Sequence, residues 1–202
     1  MRYRSDIDGL RAVAVLSVVL YHLGFFPRLL RGGFVGVDVF FVISGYLITG
    51  ILQRDVDAGR LSILEFYNRR VRRIFPALFV VHAFCLIASA ILLFPSEARD
   101  VGRDVMWSLA FVSNIFYCQA TGYFDQTSKS SLLLHTWSLS VEEQFYLLLP
   151  LVLLALASVT PRVRIGILAA LSLVSLGAAE RMVHIEPPRA FYLVHYRASE
   201  LL

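Results

Sequence analysis

The stretch PALFVVHAFCLIASAILLF, residues 76–94, decides the fold class of this chain. A helix that crosses the roughly 30 Å hydrocarbon core of a bilayer needs about 20 mostly apolar residues. This stretch reaches that length, contains no acid, and has the His82 ring as its one basic group. It predicts a transmembrane helix, and with it an integral membrane protein.

The composition of the whole chain supports the same class. Of its 202 residues, 57% are hydrophobic and 17% charged, whereas a soluble domain has about 45–50% apolar and about 25% charged residues. This apolar fraction excludes a disordered chain. The two cysteines, Cys85 and Cys118, lie in apolar runs, which excludes a disulfide scaffold.

Five further apolar stretches predict additional spans. They are residues 10–26, 34–52, 105–118, 144–159 and 165–179. About six spans of about 20 residues use most of the chain and leave no room for a large soluble domain. The predicted fold is all-α, a polytopic transmembrane helix bundle.

The net charge of +4, from 19 basic and 15 acidic residues, is carried almost wholly by arginine. A basic excess can indicate a nucleic-acid partner. Here the arginines flank predicted spans, where positive residues mark the cytoplasmic side. We therefore expect a lipid bilayer and no nucleic acid, and a cytoplasmic N-terminus. The arginines that set this orientation are Arg2, Arg4, Arg11, Arg54, Arg60, Arg69, Arg70, Arg72 and Arg73.

The first span carries two ionisable residues, Arg11 and His22. Eleven residues turn a helix to within about 20° of three full turns, so both side chains share a face, about 16.5 Å apart along the axis. This spacing indicates a path through the membrane, with a cationic docking group at its entrance and an imidazole base further in. The alternative is a snorkelling anchor for Arg11 and an interfacial hydrogen bond for His22.

A second cluster of charge precedes the span at 76–94. Ser62 and Glu65 form a capping-box pattern that starts a helix, and Pro76 is expected to end that helix or open the next span. We predict a short amphipathic helix on the cytoplasmic surface. Its guanidinium groups suit phosphates, with anionic lipid headgroups as the alternative ligand. They belong to Arg69, Arg70, Arg72 and Arg73.

A third cluster lies at residues 137–146. Ser140 and Glu143 again match a capping box, which gives Glu143 a structural role and leaves Glu142 spare. Glu142 could orient a histidine or bind a substrate hydroxyl, or it could only compensate the helix dipole. Trp137 and Tyr146 support the acceptor or serve as aromatic-belt anchors.

Asp38 is a lone acid inside the second span and needs a partner, for which Arg11 or His22 on the adjacent helix is the natural candidate. The Ser44–Gly45 pair favours close helix packing. The histidines show no metal-ligand spacing, so we expect no metal site. The residues expected to support the acceptor or the structure are Ser44, Gln144, Trp137 and Tyr146.

Taken together, four ordered motifs resemble the acyltransferase-3 family of membrane-bound O-acyltransferases. The first is DGLR at 8–11 leading to His22, which resembles an Arg-x10-His signature. The others are GVDVFFVISGYLI at 36–48, FYNRRVRRIFP at 66–76 and LHTWSLSVEEQFY at 134–146.

The resemblance implies an enzyme of the bacterial inner membrane that moves an acyl group, typically acetyl, from cytoplasmic acyl-CoA to a hydroxyl. The acceptor would be a surface glycan such as lipopolysaccharide O-antigen or peptidoglycan. Acyl-CoA would be a substrate, with no permanently bound cofactor. The expected catalytic residues are His22, Glu142 and Asp38, and the expected donor-binding residues are Arg11, Arg69, Arg70, Arg72 and Arg73.

The sequence is also compatible with two other functions. The same intramembrane charges could serve a transporter, or the arginines could belong to a non-catalytic membrane partner. The family domain continues through further helices, so residues 1–202 are expected to be its N-terminal portion. Residues 113–125 are similar to the branch that carries an extra C-terminal esterase-like domain.

Overall fold

The computed structural model describes residues 4–24, 32–120 and 131–202, and within these ranges the regular structure is entirely helical. A single 3₁₀ turn, Gly33–Val35, precedes the second helix. The helices are α1 Ser5–His22, α2 Gly36–Asp57, α3 Ile63–Leu92, α4 Pro95–Leu109, α5 Ser113–Ala120, α6 Thr136–Ala155, α7 Pro161–Ile185, α8 Pro187–Tyr192 and α9 Val194–Leu201.

Four helical segments of the described chain are long and apolar enough to cross a membrane. They are Gly33–Asp57, Ile63–Leu92, Thr136–Ala155 and Pro161–Ile185. The all-α, polytopic class predicted from the sequence is therefore confirmed. The predicted span at 10–26 corresponds to α1, which ends at His22 and also includes Asp6 and Asp8; residues 25 and 26 lie outside the described ranges.

The predicted division between a surface helix and a span at Pro76 is wrong. Ser62 caps α3 as expected, with its Oγ accepting from the N–H of Glu65 at 3.3 Å. The helix then runs without a break through Pro76 to Leu92, over 30 residues. Spanning helices tolerate a proline whose lost hydrogen bond is compensated locally. At a length of about 45 Å, α3 exceeds the hydrocarbon thickness and carries its arginines beyond it.

The predicted single span at 105–118 is also wrong. α4 ends at Leu109 and α5 begins at Ser113, and between them Phe111 has a φ of 53°, in the left-handed region. A side chain rarely adopts this conformation without support from its surroundings. That support comes from a helix-to-helix hydrogen bond described below.

Two ends of the bundle can be distinguished by following the chain. Asp57, at the end of α2, pairs with the buried Arg164 at the start of α7, with Oδ1 and Nη1 2.7 Å apart. The arginines of α3 and the start of α1 share this end, which we call the arginine end. The opposite end holds His22 and the α7–α8 connection, and we call it the histidine end. α6 runs from the histidine end towards the arginine end. Its Leu147 carbonyl, past the middle of the helix, accepts at 2.7 Å from Tyr67, which lies near the start of α3.

Close backbone approach joins α2 to α9. A Cβ at Gly45 would lie 2.5 Å from the carbonyl carbon of Leu201 and 2.8 Å from its Cα. Close packing at Gly45 was expected, but the partner is α9 and not a neighbouring span. The contact brings Arg197 of α9 beside the N-terminal half of α2.

Replacing Gly45 with alanine should destabilise the protein by about 1–3 kcal/mol, because the backbone of α9 must move away. Gly50 on the same helix is the matched control, since a Cβ there meets nothing within 4 Å. Gly50→Ala should be neutral or stabilising, because alanine is the better helix former. Thermal unfolding in detergent measures both, and equal shifts for the two variants would contradict the α2–α9 contact.

Candidate functional site

Glu142, Ser44 and Tyr146 form the centre of a polar cluster within the bundle. Tyr146 lies one turn after Glu142 on α6 and its hydroxyl donates to Glu142 Oε1 at 3.4 Å. Ser44 on α2 lies close to both side chains. Ser44 is 6% exposed and Tyr146 3% exposed. Tyr146 is therefore part of this interior cluster and not an aromatic-belt anchor.

Two arginines complete what we call the Glu142 cluster, namely Arg11, Ser44, Arg70, Glu142 and Tyr146. The Arg70 guanidinium lies 4.0 Å from the centre of the Tyr146 ring, a cation–π contact. Arg11 and Arg70 both lie near enough to attract the Glu142 carboxylate. The Arg11 Nε is buried and has no hydrogen-bond partner among the described residues. Glu143, the next residue of α6, also lies near enough to attract Arg70, so two carboxylates share the compensation of Arg11 and Arg70.

The second predicted capping box, Ser140 with Glu143, is wrong. α6 begins at Thr136, one turn earlier, so Ser140 lies inside the helix. Its Oγ lies 2.8 Å from the Oγ of Ser113 on α5, a buried contact between helices. Glu143 consequently caps nothing, and its Oε1 is buried without a hydrogen-bond partner within the described ranges.

His22 ends α1 at the histidine end of the bundle. Its Nδ1 lies 2.8 Å from the Val18 carbonyl oxygen, one turn back on the same helix. A carbonyl oxygen only accepts, so Nδ1 carries the hydrogen and the neutral ring keeps its basic lone pair on Nε2. The Tyr21 ring packs edge-on against the imidazole, with centroids 5.3 Å apart. His135, directly before α6, lies close enough for its charge to interact with that of His22.

The structure does not bring the predicted catalytic residues together. Glu142 is surrounded by arginine, serine and tyrosine, and the contacts described for it do not include His22. The carbonyl of Val18 performs the orientation that we had expected of Glu142.

The expected pairing of Asp38 with Arg11 or His22 is wrong, because α9 supplies the partner. Arg197 Nη1 lies 3.0 Å from Asp38 Oδ1 and 2.5 Å from Glu200 Oε1. We call Asp38, Arg197 and Glu200 the Arg197 cluster. Arg197 is a functional candidate that the sequence reasoning missed, and its partner Asp38 lies 159 residues away in the chain.

Trp137 supports the Arg197 cluster from α6. It is 6% exposed, and its ring lies 4.5 Å from that of Phe191 and 6.1 Å from that of Phe41. The Arg197 guanidinium lies 5.9 Å from the Trp137 ring centre and 4.9 Å from that of Phe191. Trp137 is therefore not an aromatic-belt anchor, since its ring is buried between helices.

Gln144 has a structural position. Its Nε2 donates to the Asn114 Oδ1 and to the carbonyl of Phe111, both at 2.8 Å. Asn114 in turn donates to Gln144 Oε1 at 3.3 Å and to the Tyr192 carbonyl at 3.0 Å. These amide contacts hold the left-handed turn at Phe111, and they explain why residues 105–118 do not form one helix.

A separate buried acid, Asp104, lies away from these groups. It accepts from the Ser131 hydroxyl, which also contacts the Tyr117 hydroxyl at 2.9 Å. Burial raises the pKa of Asp104, and the hydrogen bond from Ser131 opposes the rise. This network links α4 and α5 to the segment before α6, which is a structural role.

The arginines of α3 divide into two sets. Arg70 faces inward, onto Tyr146. Arg69, Arg72 and Arg73 are exposed along the first turns of α3, and Arg69 pairs with Glu65 at 2.6 Å. Three guanidinium groups therefore face outward at the arginine end.

The fold and the site define a class, a polytopic helical membrane protein with arginine, histidine and glutamate side chains within its spanning helices. The sequence profile described as an acyltransferase domain matches residues 4–196. The chain therefore belongs to the acyltransferase-3 family.

Relatives carry names of the same kind. The chain is 43% identical over 180 residues to the O-acetyltransferase OatA of Staphylococcus aureus strain NCTC 8325, which covers 87% of the chain and 29% of that relative. OatA of strain COL gives the same values. A protein of strain MSSA476, also with O-acetyltransferase in its name, is 42% identical over 182 residues, or 88% of the chain and 29% of the relative. The chain thus spans 29% of the length of these relatives. No solved structure matches it.

Proposed function

We propose that the protein is an O-acyltransferase that moves an acetyl group from cytoplasmic acyl-CoA to a hydroxyl of a cell-surface glycan. The family and the names of the relatives support the reaction class. The observation that carries the proposal is that two kinds of functional side chain lie at opposite ends of the bundle. Outward-facing guanidinium groups lie at one end of the bundle, and a histidine with a free basic nitrogen lies at the other.

The donor binds at the arginine end. Arg69, Arg72 and Arg73 offer forked N–H donors that match the phosphates of CoA. By the positive-inside rule this end faces the cytoplasm, where acyl-CoA is available. The bacterial inner membrane is the location that this orientation implies.

The Glu142 cluster lies between the two ends. Arg11 lies about 16.5 Å from His22 along α1, so the acyl-pantetheine arm must pass Arg11 to bring its thioester near the imidazole. Glu142 holds Arg11 and Arg70 in place and limits their net charge. It is a positioning residue for the donor path, and Ser44 and Tyr146 fix its carboxylate.

The reaction takes place beside His22. Nε2 removes the proton of the glycan hydroxyl while that oxygen attacks the thioester carbonyl. The C–O bond forms, the C–S bond breaks, and the imidazolium returns the proton to the CoA thiolate. In a second route Nε2 attacks the thioester carbonyl and the CoA thiolate leaves, which forms acetyl-His22. The glycan hydroxyl then attacks the acetyl carbon, the N–C bond breaks, and the hydroxyl proton passes to the released imidazole.

The full-length protein in sealed vesicles tests the proposal. Labelled acetyl-CoA is supplied at the arginine end and de-O-acetylated envelope glycan, from cells lacking the protein, at the other. We expect alkali-labile label on the glycan. Absence of ester would contradict the proposal, and solute flux without ester would support the transporter.

Replacing Arg73 with alanine should raise the apparent KM for acetyl-CoA about 10-fold with little change in kcat, because one charged hydrogen bond to the donor is lost. Arg60→Ala is the control, since Arg60 is exposed near the same end and pairs with Asp55 at 3.3 Å. An unchanged KM for acetyl-CoA in the Arg73 variant would count against the phosphate role and favour a lipid headgroup.

A further inference from the structure

A cavity of about 470 Å³ opens at the histidine end, between α1, the Gly33–Val35 turn and helices α7 to α9. Its volume falls within the range of about 300–1,000 Å³ that is typical of small-ligand sites. Aliphatic side chains of α7 and α8 form part of its wall, and aromatic and charged side chains form the rest, among them Tyr21, Phe34, Phe191, Tyr196, Arg197 and Glu200.

The charge of the cavity differs from that of the arginine end. Arg197 is only 12% exposed and is held by both Asp38 and Glu200, so two acids offset one base. Of these two acids Glu200 lies at the cavity wall, and Glu180 adds a second carboxylate there. This acidic balance disfavours phosphates, so the cavity is unsuited to CoA. The two ends of the bundle therefore favour two different ligands.

The cavity wall suits a neutral ring with many hydroxyl groups. Aromatic faces pack against the C–H faces of a sugar, and carboxylates accept hydrogen bonds from its hydroxyls. Glu200 is the best-placed acceptor, because its Oε2 is buried with no hydrogen-bond partner in the described part of the chain. A buried carboxylate oxygen without a partner is costly, and a sugar hydroxyl would satisfy it after a small movement of the side chain.

The cavity also lies beside the proposed reaction centre. Tyr21 forms part of its wall, and the next residue is His22, whose ring contacts that of Tyr21 at a centroid distance of 5.3 Å. The imidazole is not itself part of the cavity wall, and the Tyr21 ring lies between the two.

We propose that this cavity binds one sugar ring of the acceptor glycan, with Arg197 and Glu200 contacting its hydroxyls and the aromatic side chains packing on its face. The proposal rests on the proposed function and adds the acceptor site to it. A lipid chain is the competing occupant, but it would gain nothing from the two carboxylates and the arginine at the wall.

The test measures binding of the glycan without catalysis. Labelled, de-O-acetylated envelope glycan is titrated onto the purified full-length protein in the absence of acetyl-CoA. Glu200→Gln keeps the shape of the side chain and leaves the Asp38–Arg197 pair, while Tyr196→Phe removes a hydroxyl. We expect glycan binding about 10-fold weaker for Glu200→Gln, with acetyl-CoA binding unchanged.

The control is Glu186→Gln. Glu186 also pairs with an arginine three residues away, Arg189, near the same end but outside the cavity wall. The Glu186→Gln variant should bind glycan as the wild type does. Unchanged glycan binding in both cavity variants would overturn the proposal, as would a loss of tightly bound phospholipid without a loss of glycan binding. Failure of the proposed function has a different signature, because the wild type would then bind glycan and form no ester.

Discussion

Replacing His22 with alanine in the full-length protein should lower the rate of glycan acetylation by at least about 100-fold, the usual contribution of a positioned general base. The structure leaves α1 intact in this variant, because within the described ranges the one hydrogen bond of the imidazole is to the Val18 carbonyl of its own helix. Ester on the envelope glycan is the activity measurement, and membrane insertion should be unchanged.

His184 provides the control for this variant. It lies at the same end of the bundle on the surface of α7, where its ring is 75% exposed and faces Glu180 at 3.5 Å. His184→Ala should retain acetylation. Retained acetylation in His22→Ala would remove the imidazole from the mechanism. Acid quenching without glycan separates the two chemical routes, because only the two-step route accumulates acetyl-His22.

Replacing Glu142 with glutamine should destabilise the protein by about 2 kcal/mol, because the carboxylate accepts from Tyr146 and is attracted by Arg11 and Arg70. Glutamine keeps the shape of the side chain and can still contact Ser44 and Tyr146. It no longer attracts Arg11 and Arg70, whose charges then lose one of their compensating carboxylates. Thermal unfolding in detergent measures the loss.

A second substitution makes this prediction specific. Adding Arg70→Gln to Glu142→Gln removes one of the two charges that lost the Glu142 carboxylate. The double variant should therefore recover part of the lost stability. Glu65→Gln is the control, because Glu65 pairs with Arg69 on the surface, where such a pair contributes less than about 1 kcal/mol. Equal losses for Glu142→Gln and Glu65→Gln would contradict the compensating role of Glu142.

Single-helix patterns predicted much of the fold. The apolar runs at 34–52 and 165–179 fall within helices that can cross a membrane, and those at 76–94 and 144–159 overlap two more, which end at Leu92 and Ala155. The Ser62 cap is confirmed as well. Such features depend on residues close in the chain, so the sequence carries them directly.

Features that depend on pairs of distant segments were not predictable in this way. Asp38 finds its partner on α9, and no helical spacing relates it to Arg197. The Ser140–Glu143 pattern is a valid capping signal, but Ser140 meets Ser113 of another helix. The sequence indicates which residues are costly in a membrane, and only the packing shows which of them meet.

The bond between His22 and Val18 has a consequence for motion in this protein. In many sites a base depends on a side chain from another segment, and its alignment is lost when the segments separate. Here the orienting carbonyl and the imidazole belong to one helical turn. The imidazole therefore keeps its alignment when neighbouring helices shift. In the proposed mechanism, the donor could enter and the product leave without a change in which nitrogen accepts the proton.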